Sequence, residues 1–445
     1  MTDLPLIRNF ASDAVFAYRQ GRPIYAARFL NDVLHLAAQL PAAEHVLNLC
    51  ADRYHFSVGF AAALLRRQVN LLPPNNTPDL FGRLSLSYPD AYCLVDSDIE
   101  HQPFRSMMFP ELPDAPRGAP DVPCVAAAQV AAIVLTSGST GQPAPHPKTW
   151  GTLVLSVSAE LERLNLKAGS NTAIVGTVPP QHMYGLESTV VLAMQGGLAL
   201  HAGRPFYPAD IAAELEALPR PRALVTTPIH LRTLIAESDV FPRADFLICA
   251  TAPLSPQLAA AAEKSFAAPL YEVYGCTEAG QIATRRTVKT SEWSALPGIR
   301  LRQDGKGTWI KGGHVDTEVL LSDVIELRGR NRFLLHGRNA DLVNIAGKRT
   351  SLAHLNYHLN SIEGVRDGVF VVPEVEGETV TRLMALVVAP GITRQALMKA
   401  LRRRVDPAFL PRPLCFVESL PRNATSKLPR EALATLMSEL ATRAA

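Results

Sequence analysis

Between Ala131 and Tyr274, short β-rich runs alternate with longer amphipathic stretches, and this alternation restricts the segment to an α/β unit built on a mostly parallel sheet. The expected strands are Ala173–Val178, Leu198–His201, Ala223–Thr226, Phe246–Ala250 and Leu270–Tyr274. Helical periodicity marks the intervening Leu153–Leu164, Ile211–Leu218, Ile229–Glu237 and Gln257–Phe266. Parallel sheets of this kind collect ligands beyond the carboxyl ends of their strands. Polar and glycine-bearing stretches stand at those ends here: Pro179-Pro180-Gln181-His182, Thr251-Ala252-Pro253 and Tyr274-Gly275.

A further such stretch, Leu135-Thr136-Ser137-Gly138-Ser139-Thr140-Gly141-Gln142-Pro143, follows the apolar run Ala131–Leu135. Glycine lets backbone N–H groups approach an oxyanion closely, and Ser and Thr hydroxyls add donors without bulk, so the loop suits a polyphosphate. It has neither the Gly-Lys-Ser/Thr ending of a Walker A loop nor the spacing of a dinucleotide fingerprint. A Ser/Gly-rich surface turn is the plainer alternative.

At 445 residues the chain exceeds one ordinary core, so more than one packed unit is expected. Trp293 to Leu335 reads as irregular β structure with turns at Gly305, Gly307, Gly312 and Gly313. A second unit begins near Gly337, with a helix at Leu352–Asn360, strands at Gly368–Val372 and Leu383–Val388, a helix at Arg394–Arg404 and a terminal helix from Glu431. The fold class expected is α/β: a large N-terminal domain of α/β layers with a β-rich part, and a small α+β C-terminal domain. From Asp341 onward 14 Lys and Arg stand against 10 Asp and Glu, and Lys399, Arg402, Arg403 and Arg404 form one basic face. That face is either a solvated helix surface or a docking face for an acidic carrier protein or CoA phosphates.

No stretch of about 18 apolar residues appears, and the first residues, with Asp3, Arg8 and Asp13, lack a signal-peptide pattern. A cytoplasmic protein without a membrane span is expected. Six cysteines without C-x-x-C or metal spacing suit reduced thiols, and a net charge of +3 gives no argument for a nucleic-acid partner.

Three more segments follow the glycine-rich loop in order: Tyr274-Gly275-Cys276-Thr277-Glu278, then Gly337-Arg338-Asn339-Ala340-Asp341 running to Gly347-Lys348-Arg349, then Asn423-Ala424-Thr425-Ser426-Lys427-Leu428-Pro429-Arg430. From about Ala131 to Arg430 the chain resembles the adenylate-forming superfamily, which includes acyl- and aryl-CoA synthetases and acyl:carrier-protein ligases. The resemblance implies ATP-dependent conversion of a small carboxylic acid to an acyl-adenylate, then transfer to a phosphopantetheine thiol. An acyl carrier protein is the expected acceptor and CoA the alternative, with a non-catalytic adenylate-binding module as the reading from another class.

By the same resemblance, Thr136, Ser137, Gly138, Ser139, Thr140 and Gly141 would hold the β- and γ-phosphates. Thr277 would donate to the α-phosphate, and Glu278 would bind Mg²⁺, a hard cation suited to carboxylate and phosphate oxygens. A helix N-terminal carboxylate is the plainer role for Glu278. Asp323 and Arg338 would meet the ribose, while Thr251, Ala252 and Pro253 would flank the adenine beside Tyr274 and Gly275. His182 would gate the acyl pocket or sit as a packed core histidine. Lys427 would bridge the substrate carboxylate and the α-phosphate, or be an exposed tail lysine. The implied domains are 1–337, a hinge at 338–340 and a mobile 341–445, whose turn would line the thiol tunnel, with Gly347 giving room and Arg349 meeting phosphate.

Three departures stand out. Ala144 occupies the usual loop-lysine position, with Lys148 as its replacement; Ala340 stands where a hinge Asp or Lys is usual; Ser426 replaces a glycine before Lys427. The Pro-x-Pro-His-x-Lys-x-Trp extension and the short chain look similar to compact ligases of aryl-polyene and xanthomonadin-type pathways. That likeness implies a hydroxybenzoate-like aryl acid, ahead of a medium-chain fatty acid.

Overall fold

The computed structural model describes residues 2–11, 13–99, 103–112, 120–137, 143–338, 342–345, 348–373, 383–423 and 428–444. Two sheets organise the large domain. In the first, strands His45–Asn48, Val69–Leu72, Tyr92–Val95, Arg105–Met108 and Val130–Ser137 run parallel to their neighbours, and Pro143–Thr149 folds back antiparallel on Val130–Ser137. The glycine-rich loop therefore joins the two strands of a hairpin at the carboxyl edge of this sheet.

The second sheet has eleven strands. Its parallel centre comprises Ala173–Gly176, Ala199–His201, Arg222–Thr226, Phe246–Cys249 and Leu270–Cys276, each within a few residues of its expected position. Antiparallel strands Gly280–Arg285, Trp293–Ala295, Arg332–Arg338 and Asp323–Leu327 extend one edge. The segment expected to be irregular is in fact regular: Arg300–Asp304, Gly307–Gly312 and Val315–Leu320 form a three-stranded antiparallel sheet. Its glycines serve as turns between paired strands, with Gly312 and Gly313 both at positive φ.

Helices Arg53–Leu65 and Trp150–Arg163 contribute to a continuous apolar core with Phe16, Phe29, Trp150 and Leu186. Their starts follow capping chemistry: Asp52 accepts from the N–H groups of Tyr54 and His55, and Thr149 from that of Thr152. Ser255 and Thr227 cap later helices that have proline in the first turn, where a missing N–H costs nothing. Among the described residues no helix is long and apolar enough to cross a membrane.

The smaller domain has its own core around Leu355, Phe370, Leu386 and Leu401. Strands Asp367–Val371, Met384–Val388 and Leu414–Phe416 form its sheet, beside the hairpin Leu342–Ile345/Lys348–Ser351 and helices Leu352–Asn360 and Arg394–Arg402. Asp367 accepts two bonds from Arg422 of the same domain at 2.7 and 2.9 Å and lies 3.6 Å from Arg232 of the large domain.

Candidate active site

The parallel strands of the large sheet release their ends toward one edge, and side chains from neighbouring ends are tied together there. After Phe246–Cys249 the chain turns through Thr251, a non-glycine residue at φ 85° whose buried hydroxyl oxygen has no hydrogen-bond partner among the described residues. A left-handed β-branched residue costs conformational energy and marks a place where backbone geometry matters more than local comfort. Ala252 and the exposed Pro253 follow, and the Leu254 N–H donates to Glu272 Oε1 at 3.2 Å, which anchors the turn to the adjacent strand.

On that strand Tyr274 is buried, and its hydroxyl donates to Asp323 Oδ2 at 2.7 Å. Asp323 begins an edge strand, and in the antiparallel register its partner is Arg338. The two residues expected at a ribose are thus cross-strand neighbours. Gly275 can carry no side chain: an added Cβ would run into the carbonyl oxygen of Gly280. Beyond it Glu278 is exposed. Desolvation pulls its carboxyl upward, but a backbone N–H, the Cys276 thiol, His146 and Lys148 outweigh that and hold it below the ordinary value. It is therefore ionised at neutral pH, as a Mg²⁺ ligand must be. Among the described residues no group of three or more His, Cys, Asp and Glu is placed to hold a metal ion, so a Mg²⁺ here would draw its other ligands from phosphate and water. The Cys276 thiol is pushed up to about 12 by burial and is inert as a nucleophile.

On the hairpin, Thr136 Oγ1 lies 3.1 Å from His146 Nε2. Lys148 is 8 % exposed, and its ammonium donates to the backbone carbonyl of Glu278 at 2.7 Å. One side chain thus links the hairpin to the Thr277-Glu278 turn.

His182 caps a short helix, its Nδ1 accepting from the Tyr184 N–H at 3.3 Å. The Tyr184 hydroxyl lies 3.1 Å from the Thr226 carbonyl and 3.0 Å from that of Ile248, so the segment that follows His182 is pinned to two parallel strand ends. Gly185 is required there, since a Cβ would strike the Pro179 carbonyl. A π-helical segment, Leu186–Val191, follows. Such segments commonly sit at functional sites.

Ser137 ends its strand, while Gly138, Ser139, Thr140, Gly141, Gly347 and Lys427 lie outside the described residues. Arg349 lies on the strand Lys348–Ser351, opposite Asn344.

Several participants received no role from the sequence. Arg53 is fully buried; its guanidinium donates to the carbonyls of Gly176 and Val178 at 2.7 and 3.0 Å and to Thr189 Oγ1 at 2.8 Å. Burial lowers its pKa to about 9. Beneath the Glu278 turn, Glu160 accepts from Gln281 at 2.8 Å and from Ser188 at 3.0 Å, and Glu187 from Ser156 at 2.6 Å. Burial pushes both carboxyls up to about 7. Glu160 was legible in principle, because it falls at i+3 from Val157 and i−4 from Leu164 on the apolar face of its helix.

The architecture is that of the adenylate-forming enzymes, a large α/β domain followed by a smaller α+β one. Solved structures agree: O-succinylbenzoate coenzyme A synthetase from Bacillus subtilis in complex with ATP and magnesium ion superposes with a TM-score of 0.81 at 17% identity, covering 97% of this chain and 100% of that one. ATP-bound MatB from Rhodopseudomonas palustris gives a TM-score of 0.80 at 16% identity, over 99% and 97%. In sequence, a 4-coumarate–CoA ligase of Rhodobacter capsulatus is 28% identical over 62% of this chain and 67% of its own length. A 2-succinylbenzoate–CoA ligase of Bacillus cereus is 26% identical over 79% and 80%. The family model for the AMP-binding enzymes matches residues 41–302, and the chain belongs to that family. It is an AMP-forming acid–thiol ligase.

Proposed function

We propose that the protein activates an aryl acid, of the hydroxybenzoate type, as its acyl-adenylate and passes the acyl group to the phosphopantetheine thiol of a carrier protein. The observation that carries this reading is the convergence of the strained Thr251, the Tyr274–Asp323 pair and the ionised Glu278 at the carboxyl ends of adjacent strands. Both reacting groups are anions, so catalysis must place positive charge and donors where negative charge concentrates. The Thr136–Gly141 loop and Thr277 supply donors in this reading, and Mg²⁺ on Glu278 would supply charge neutralisation at the phosphates. Asp323 and Arg338 orient the ribose, Thr251–Pro253 flank the adenine, and His182 gates the acid pocket. Lys427, brought in by residues 341–445 turning about 338–340, neutralises the reacting carboxylate and α-phosphate. In the second step Gly347 and Arg349 line the path of the thiol.

The aromatic acids in the relatives' names, 4-coumarate and 2-succinylbenzoate, support an aryl substrate. The basic face of helix Arg394–Arg402, continued by the exposed Arg403 and Arg404, supports an acidic carrier. Those same names favour a second reading in which CoA is the acceptor. Acid-dependent exchange of labelled pyrophosphate into ATP, over a panel of aryl and fatty acids, tests the first half-reaction. Product trapping on CoA against a phosphopantetheinylated carrier tests the second. No exchange with any acid would leave an adenylate-binding module in its place.

A further inference from the structure

Lys148 stands on the strand Pro143–Thr149, opposite Ala132, where the register with Val130–Ser137 slips between Lys148 and Thr149. Such a bulge re-aims side chains. Here the ammonium lies inside, almost fully buried, and its hydrogen bond goes to the Glu278 carbonyl at 2.7 Å. A buried ammonium needs compensating charge. Glu187 is the first of the carboxylates that compensate it, and Glu278 follows. Glu187 lies close against the same turn: a Cβ added at Gly280 would be 2.9 Å from its Oε1. The turn Cys276–Gly280 is therefore hydrogen-bonded by Lys148 at the Glu278 carbonyl and closely packed by Glu187 at Gly280. His146, two residues earlier and so on the same face of the strand, is the side chain directed to the loop end, through Thr136.

Resting on the function proposed above, we infer that Lys148 is a positioning residue that holds the Thr277-Glu278 turn in place through the Glu278 carbonyl, and that it does not bind phosphate itself. To reach a phosphate it would have to abandon its acceptor and leave the interior. Through that hydrogen bond the strand Pro143–Thr149 is registered to the Thr277-Glu278 turn.

The full-length protein is compared with K148M and K148Q. Thermal unfolding is followed with a non-hydrolysable ATP analogue, with and without Mg²⁺, and pyrophosphate exchange is followed across a Mg²⁺ titration. The positioning role predicts that K148M keeps the metal-free shift but loses most of the Mg²⁺-dependent increment, and needs about tenfold more Mg²⁺ for half-maximal exchange. K148Q keeps a donor for the carbonyl without the charge, and recovers most of the increment. The proposal is overturned if both variants lose the metal-free shift and raise the KM for ATP about tenfold at saturating Mg²⁺, as a direct phosphate contact requires. An unchanged increment in K148M also overturns it. If K148M does not fold, K148Q decides: a retained increment supports the role and a lost one refutes it. A wild-type chain with neither analogue shift nor exchange sinks the ligase reading and this inference together, whereas failure confined to the variants' pattern sinks this inference alone.

Discussion

The Tyr274 hydroxyl donates to Asp323 Oδ2 at 2.7 Å, joining the end of the last parallel strand to the residue that faces Arg338 across the sheet edge. The phenol restricts the carboxylate and leaves it the capacity to accept further bonds. Tyr274→Phe should raise the KM for ATP by roughly fivefold, the worth of about 1 kcal/mol, with little change in kcat. Exchange kinetics at varied ATP check this. An unaltered KM would remove Asp323 from the nucleotide site.

Arg53 places a cation in the interior with carbonyls and a hydroxyl as its hydrogen-bond partners. Arg53→Met should destabilise the fold by about 2–4 kcal/mol, because the Gly176 and Val178 carbonyls lose their donor. It should also raise the KM for the acid, since the Val178 carbonyl immediately precedes Pro179–His182. Urea unfolding measures the first effect. A loss below about 0.5 kcal/mol would show that the site relaxes around methionine.

Glu160 and Glu187 are pushed up to about 7, chiefly by burial, against hydrogen bonds from Gln281 and Ser188 on the first and from Ser156 on the second. Their folded pKa values lie above the unfolded value of about 4.3, so the folded state retains protons that the unfolded chain releases. Stability should therefore fall as pH rises from about 4.5 to 7 and level off above that. Glu160→Gln should match the parent near pH 4.5 and exceed it at pH 8, by on the order of 2 kcal/mol. Parallel pH–stability curves for the two proteins would disprove the assignment.

Lys427→Ala should lower adenylation by about two orders of magnitude or more, while thiolysis of a supplied adenylate largely survives, because its charge is needed only where two anions meet. Pyrophosphate exchange and single-turnover thiolysis separate the steps. Equal loss of both would refute the division of roles.

The alternating core was legible because each of its strands is a short apolar run ended by a polar turn, and each helix shows a clear 3.6 period. Phe246–Cys249 and Leu352–Asn360 match their expected spans to within a residue. Trp293–Leu335 was legible as β structure with glycine turns, but the regularity of its pairing was not, because exposed antiparallel strands such as Val315–Leu320 carry charged residues and little apolar alternation. The hairpin strand Pro143–Thr149 was hidden by its three prolines, which an edge strand tolerates. Motif residues at strand ends could be found by position alone. Arg53, Glu187 and Gln281 could not, because their partners lie between 31 and 136 residues away.

Asp367 is shared between Arg422 of its own domain and Arg232 of the large one. Should the smaller domain swing, the carboxylate departs with Arg422 still attached, while Arg232 surrenders both its longer link to Asp367 and its 3.1 Å bond to the Arg366 carbonyl. Arg232 is half-buried and burial lowers its pKa, so a departing carboxylate would leave that cation short of compensation, and the contact acts as a detent that favours the orientation described here.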